Sequence, residues 1–442
     1  MMDKTDRGCH VSNLARVARH AVVAVLAMTA AAGCGGSGSD TCASTGGDGM
    51  LMLNITGHTP GAVTVEGMSG VLEGNAILTL PAGAHAVTAN RVTAPQTGIT
   101  SQVFEGTVDH SDSCVRAGAT TVVNVSYALV PTSGQLWTGV ANGPDPSTLL
   151  GFAPASVAAT GTPGADSAAD TGGSDGFTFD RAGNVWVIAG ATVARYRASS
   201  FASDGLKVPD VVIDGPSFGS TIPGPKVVAF DASGNLWVSV VGEGRVVMFT
   251  AAQIAATGSP TATVERRGLA APLGLAFDAA GNLWVAAQDD PAVVRIDAAH
   301  LTATGTGTDL AITAHSIAND ATLPPPMSLA FDAAGSLWVN YDGTLARITA
   351  ADQAGMGAKT ITPAIQITTD VLTLPVGIAF DQDGGLWLAY SAGAFARLGP
   401  TQLAASGSVA PSIIITSPDV GYAAWFAMYP APPFTPLYHK VP

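Results

Sequence analysis

The stretch Ala271 to Ala287, APLGLAFDAAGNLWVAA, decides the fold, because the chain repeats it. An apolar run closes on Phe277-Asp278, a D-x-x-G turn follows, and a second apolar run carries Trp284. The same order returns as AGNVWVIA, SGNLWVSV, AGSLWVNY and GGLWLAY, and SGQLWTGV is a more divergent first copy. Trp137, Trp186, Trp237, Trp284, Trp338 and Trp387 thereby share one register, 47 to 54 residues apart. Six of the chain's 7 tryptophans stand at one repeated position, which marks them as packing residues between repeats rather than as a ligand cage. Phe179, Phe230, Phe277, Phe331 and Phe380 each stand seven residues before a Trp and directly before an Asp.

The remainder of each unit repeats too. LLGFAPASVAATG, VARYRASSFASDG, VVMFTAAQIAATG, VVRIDAAHLTATG, LARITAADQAGMG and FARLGPTQLAASG each read as a third strand and a turn or helical segment ending in Gly. A fourth strand follows in most units, as in Val211 to Asp214, Ile361 to Thr368 and Ser412 to Thr416. Four short strands cannot bury a core singly, but repeated units stack radially. The expected architecture is therefore all-β: a six-bladed β-propeller over residues 131–442, preceded by a small β-sandwich over 42–130. Trp425 to Tyr429 reads as an opening strand that completes the blade of Trp137 and locks the ring. A seven-bladed ring with Ala128 to Val130 as its own first strand is the alternative. The units resemble the P-x-G-(I/L)-A-x-D-x-x-G-N-L-(W/Y)-V pattern of NHL and streptogramin-lyase-like propellers, over residues 132–440. That resemblance implies the fold and says little of the activity.

Composition narrows the class. Only 12% of the 442 residues are charged and 47% are hydrophobic, against about 25% charged in an ordinary soluble domain. Extended disorder is excluded. A formal net charge of -14, with no basic cluster, opposes binding to a phosphate backbone, so nucleic acid is not an expected partner.

The N-terminus reads as an address. Lys4, Arg7, Arg16 and Arg19 precede an apolar stretch from Ala21 to Gly33, which is too short for the ~20 residues of a spanning helix. Residues 1–33 are thus an expected signal peptide. Ala31-Ala32-Gly33-Cys34 resembles the lipobox of bacterial lipoproteins, although Ala31 stands where the family has Leu. The resemblance implies lipidation of Cys34, with 34–41 as a flexible tether and a lipid anchor as the sole membrane contact. Gly35 is not the Asp that resembles an inner-membrane retention signal, so an outer-membrane lipoprotein is favoured over a periplasmic protein. Cleavage removes Cys9 and lipidation takes Cys34, which leaves Cys42 and Cys114 as an even pair for a disulfide in an oxidising compartment. Closing that loop restricts the unfolded chain by roughly 4 kcal/mol in the entropy account.

Between the cysteines, short β-branched runs bounded by Gly, Pro and Asn predict strands at Leu51 to Thr56, Ala62 to Glu66, Ala76 to Leu80, Ala86 to Asn90, Val103 to Val108 and Thr120 to Tyr127. In the last, Val123, Val125 and Tyr127 alternate with Val122, Asn124 and Ser126, so one face packs and the other is wet. LTLPAGAHAVTA, from Leu78 to Ala89, resembles the Leu-Pro-x-Gly-x-His turn of PEGA-like and carboxypeptidase-regulatory-like sandwiches. His85 is expected there as a hairpin residue.

Chemistry is harder to locate. The repeated Asp, with Gly three residues on, is what a β-turn requires. Streptogramin lyases use His and Glu above the channel, and SMP-30-like lactonases hold a divalent cation with Glu, Asn and Asp. In the propeller, His300 aligns with Gln253 and Gln402 on a peripheral segment, His315 lies in a fourth-strand region, and His439 is near the last residue. Positions that break the repeat at the channel face are Lys226, Gly274, Ser328 and Gly377 before first strands. After the Trp strands they are Asn142, Glu243, Asp289, Asp290, Asn340 and Asp342. Lys226, Glu243, Asp289, Asp290, Asn340 and Asp342 are the candidate ligand face, and the carboxylates leave a divalent cation open as a ligand. No residue is assigned a catalytic role, and no P-loop, H-E-x-x-H or nucleophile elbow stands in a suitable context. Three functions remain: a surface-anchored, non-catalytic binding or scaffold protein for a protein or glycan ligand, expected as a monomer; a propeller lyase or metal-dependent lactonase; and a structural envelope protein. Intact-mass analysis of membrane-derived protein should show an acylated Cys34 as the first residue; an unmodified N-terminus free in the periplasm would refute the anchor.

Overall fold

A computed structural model describes Cys42 and residues 46–140, 148–174, 176–219, 223–369, 375–432 and 435. The signal segment, Cys34, the tether, Asn142 and His439 lie outside the described residues. Cys42 and Cys114 are both disulfide-bonded.

The D-x-x-G turn shows why the repeat folds as it does. Asp278 Oδ1 accepts the backbone N–H groups of Ala280 and Asn282, each at 2.9 Å, while Oδ2 accepts Asn282 Nδ2 at 2.8 Å and Trp284 Nε1 at 2.9 Å. One carboxylate thus closes the turn and orients the indole. Asp180 and Asp231 make the same four bonds. Asp332 and Asp381 also hold their turns and the indoles of Trp338 and Trp387. The turn glycines Gly183, Gly234, Gly281, Gly335 and Gly384 take φ from +75° to +82°, a region that side chains avoid.

Each turn joins two antiparallel strands in which the Trp faces a small residue. Trp186 pairs with Thr178, Trp237 with Ala229, Trp284 with Ala276, Trp338 with Ala330 and Trp387 with Ala379. The six repeat tryptophans are at most 2% exposed. Four of them meet the Phe of the following sheet edge to face: Trp186–Phe230, Trp237–Phe277, Trp284–Phe331 and Trp338–Phe380, with centroids 5.7 to 6.3 Å apart. The apolar clusters accordingly lie between sheets and combine residues of neighbouring repeats.

Among the described residues, six sheets of this four-strand pattern follow one another. Their innermost strands are Phe177–Phe179, Pro225–Phe230, Pro272–Phe277, Ser328–Phe331, Pro375–Phe380 and Ala423–Tyr429. The last of these comes from the C-terminus and pairs with Gln135–Val140, bringing Ala427 opposite Trp137. The strand Thr120–Leu129 belongs elsewhere, since its Ala128 and Leu129 pair with Glu105 and Phe104. Each innermost strand touches the next, and Ala423–Tyr429 touches both Pro375–Phe380 and Phe177–Phe179, which makes the arrangement a closed propeller.

A second closure runs round the rim. The Gly that ends each repeated turn segment adds in parallel to the outer strand of the preceding sheet: Gly205 to Ala169, Gly258 to Ile213, Gly305 to Arg266, Gly357 to Leu310, Gly407 to Ile367 and Gly161 to Ile415. Exposed sheet edges invite pairing with other chains, and here each receives a short parallel strand or a single parallel bridge from its neighbour.

Residues 48–129 form two further sheets. One has the order Ala76–Pro81, Asp48–Thr56, Thr120–Leu129, Gln102–Val108, Val92–Ala94; the other joins Val63–Val65, Gly83–Ala89 and Asp112–Val115. Leu51, Leu53, Leu80, Val87, Val115, Val123 and Val125 bury themselves between them, as a sandwich requires. The strands Val92–Ala94 and Asp112–Val115 were not legible as separate runs, being only 3 and 4 residues long. His85 sits in its hairpin, with its ring nitrogens 3.1 Å from the Glu66 carbonyl and 2.9 Å from the Pro81 carbonyl.

Trp284→Ala should destabilise the fold by roughly 3 to 5 kcal/mol, the usual cost of truncating a buried large aromatic. Denaturant unfolding checks this, and a change below about 1 kcal/mol would deny the indole its place in the core.

Candidate functional site

The antiparallel inner hairpins give the ring two distinct faces. At one face lie the D-x-x-G turns. At the other lie the starts of the innermost strands and the ends of the Trp strands, as the pairings Pro225 to Val240, Pro272 to Ala287 and Ser328 to Asn340 show.

The sandwich covers part of the turn face. Ser101 Oγ donates to Gln382 Oε1 at 2.7 Å, Gln382 N donates to the Ile99 carbonyl at 2.9 Å, and Trp387 Nε1 also reaches the Gly98 carbonyl at 3.0 Å. Thr132 Oγ1 donates to the Gly183 carbonyl at 2.7 Å, and Arg91 Nη1 donates to the Arg181 carbonyl. Ile99 is fully buried in a propeller cluster with Leu136, Trp387, Phe426 and Met428. Thr100, 1% exposed, donates to the Pro430 carbonyl at the foot of the closing strand. The segment QTGIT is therefore a plug that joins the two folds, a role its sequence does not announce.

The opposite face holds the candidate ligand residues. Lys226 lies half-buried on its innermost strand, and a side chain on the neighbouring Gly176 would press within 2.1 Å of the Lys226 carbonyl. Gly274 approaches Met327 and Ser328 in the same manner, and Gly377 approaches the ring of Phe426. These two glycines depart from the repeat because inner strands crowd there, a packing reason. Asp289 and Asp290 stand exposed in the turn after Leu283–Ala287, and Asp342 stands exposed after Leu337–Tyr341 with φ +39°. Asn340 is fully buried opposite Ser328, whose Oγ is buried and lacks a hydrogen-bond partner.

Glu243 belongs to a network that the sequence reading missed. Its Oε2 lies 2.7 Å from Arg245 Nη2, while Arg245 Nη1 lies 3.0 Å from Glu265 Oε1 and Glu265 in turn pairs with Arg267. Arg245 Nη2 also donates to the Ser217 carbonyl at 3.2 Å, and the residue is 4% exposed. The signal lay in the alternation of Arg245 with the E-R-R of Glu265 to Arg267 on neighbouring strands. Glu243, Asp289 and Asp342 occupy corresponding turns of successive sheets. Among the described residues no three His, Cys, Asp or Glu side chains come together in a set able to hold a metal ion. His300 and His315 are engaged at the rim, at 2.8 Å from Asp309 and 2.9 Å from Asp320.

Two concavities among the described residues bear on the site. One is the central channel, a cavity of about 130 Å³ walled by the innermost strands. The other is an open cleft of about 650 Å³ between the sandwich and the turn face, with Arg91, Glu105, Arg181 and Arg195 on its walls. Arg195 is already committed, since its two bonds to Asp210, at 3.0 and 2.8 Å, hold that carboxyl below its ordinary range against the opposing effect of burial.

No family profile and no curated protein matches the sequence. Among solved structures, the chain is similar to a streptogramin B lyase structure at 12% identity, covering 78% of this chain and 96% of that one with a TM-score of 0.37. It is also similar to virginiamycin B lyase from Staphylococcus aureus at 13% identity over 52% of this chain and 68% of that one, with a TM-score of 0.35. A protein of unknown function from Bacteroides caccae aligns at 11% identity over 64% of this chain and 98% of that one, with a TM-score of 0.42.

Replacing both Glu243 and Glu265 by Gln leaves the Arg245 charge buried without a carboxylate. Such a loss costs about 3 to 5 kcal/mol, and Glu243→Gln alone should cost less, because Glu265 remains. Denaturant midpoints of the two variants check the order.

Proposed function

We propose that this chain is a non-catalytic binding or scaffold protein of the bacterial cell envelope, carried on a lipid anchor at Cys34 and presenting the open face of its propeller to a protein or glycan ligand. The observation that carries this reading is the engagement of Glu243 with Arg245. General-base or metal chemistry at neutral pH needs a poised group free to exchange protons or ligands. Of the candidate carboxylates at this face, the partly enclosed Glu243 is tied to a buried guanidinium, while Asp289, Asp290 and Asp342 stand in separate exposed turns. His300 and His315 support the same reading from the rim, each paired with an Asp. The sandwich serves as a spacer that follows the anchor in chain order, and the chain acts as a monomer.

Turnover assays with lactones and streptogramin-type esters, with and without Ca²⁺ or Mn²⁺, test the proposal. Rates should stay at the buffer level. Turnover that disappears in Asp289→Asn, an exposed substitution that spares the fold, would overturn the binding reading and promote the lyase or lactonase.

A further inference from the structure

The register of the inner hairpins sorts the channel wall into levels. On the side of the open face stand Phe177, Val228, Leu275, Leu329, Ile378 and Phe426. At mid-height stand Thr178 and five alanines, Ala229, Ala276, Ala330, Ala379 and Ala427, each opposite a tryptophan. Towards the turn face the wall is Phe230, Phe277, Phe331 and Phe380, four of the repeat Phe residues, and Met428. The alanines are small because an indole occupies the same side of the paired strand. Their second consequence is a lumen left wide at its middle.

The chain itself closes the far end. After the cis Tyr429–Pro430 bond, Ala431, Pro432 and Thr435 turn into the channel wall, and all three are buried. The Thr435 amide and hydroxyl both donate to the Pro432 carbonyl, at 3.0 and 2.8 Å, and Thr100 of the sandwich segment holds the Pro430 carbonyl from outside. Of the described floor residues, Thr435 thus offers the channel an amide and a hydroxyl that are already bonded.

We propose that the channel is a blind apolar well that takes an uncharged ring of about benzene size, supplied either as a small molecule or as the apolar end of a larger ligand held at the open face; this deepens the binding reading and rests on it. A lumen of about 130 Å³ is close to the roughly 150 Å³ apolar cavity that stays dry and binds benzene or xenon. The side chains of the wall carry no ionisable group, and of its two hydroxyls the Thr435 hydroxyl is already donating. Charged ligands would lose their hydration there without replacement.

Diffraction from xenon-pressurised crystals of the protein, joined to thermal unfolding with benzene, tests the well directly. Xenon should appear at mid-height between Ala276, Ala330 and Ala379, and saturating benzene should raise Tm by about 2 °C or more through mass action. Ala431→Leu fills the floor from the tail and touches no inner-strand pairing, so it should abolish both effects. Phenyl glucoside binding more tightly than benzene would assign the well to the end of a larger ligand; equal or weaker binding would assign it to a free small molecule. Ordered water filling the lumen with no xenon, or a benzene shift unchanged in Ala431→Leu, would overturn the proposal. A glycan or protein bound at the open face while xenon and benzene are refused would leave the binding reading standing and sink the well alone.

Discussion

The hydrogen bond from a tryptophan indole to the turn aspartate is the interaction on which the rest depends. A carboxylate that accepts both turn amides and the Trp Nε1 couples the local chain reversal to the direction of the largest side chain in the repeat. Once the indole is aimed, the strand opposite must carry Ala or Thr, and the next sheet must offer the edge of a Phe. A neutral hydrogen bond contributes about 1 kcal/mol and one to a charged group about twice that. The weight of the arrangement comes from the aromatic burial that this bond orients.

Ring closure is the second constraint, because a stack of sheets has two ends. The chain meets it twice, with the C-terminal strand Ala423–Tyr429 beside Gln135–Val140 and with Gly161 on Ile415 at the rim. The sandwich reinforces the same seam by inserting Ile99 into the cluster that contains Leu136, Trp387, Phe426 and Met428. The sandwich contacts lie on the turn face, the end of the channel that Ala431, Pro432 and Thr435 line. The proposed binding role accordingly places ligand access at the opposite face.

Sparse charge shapes what that face can do. With 12% charged residues, the chain spends its more enclosed ions on one another: Arg245 with Glu243 and Glu265, Arg195 with Asp210, Arg397 with Asp381. A partly buried pair is held by the cost of stranding either partner, so such groups are poor proton shuttles. The exposed aspartates remain solvated and separate. Under the proposed binding role, shape and apolar surface are then the means of recognition, which is where that role and the proposed well meet.

How much of this was legible follows from the range of each interaction. The repeat of Trp, Asp and Gly marked the propeller, its hairpin turns and its C-terminal opening strand, because those signals sit within a few residues of one another or recur at one period. The alternation of Val123, Val125 and Tyr127 likewise marked a packed sandwich face. Lys226, Glu243, Asn340 and Asp342 stood out only as departures from the repeat, and sequence carries no measure of whether a departure faces a ligand, an arginine or a crowded strand. The Arg245 network, the Ile99 plug, the rim of parallel glycine strands and the floor of the channel join residues from tens to hundreds of positions apart. Their partners are chosen by where the closed ring brings the chain, so pairing at that distance was decided by the tertiary structure alone.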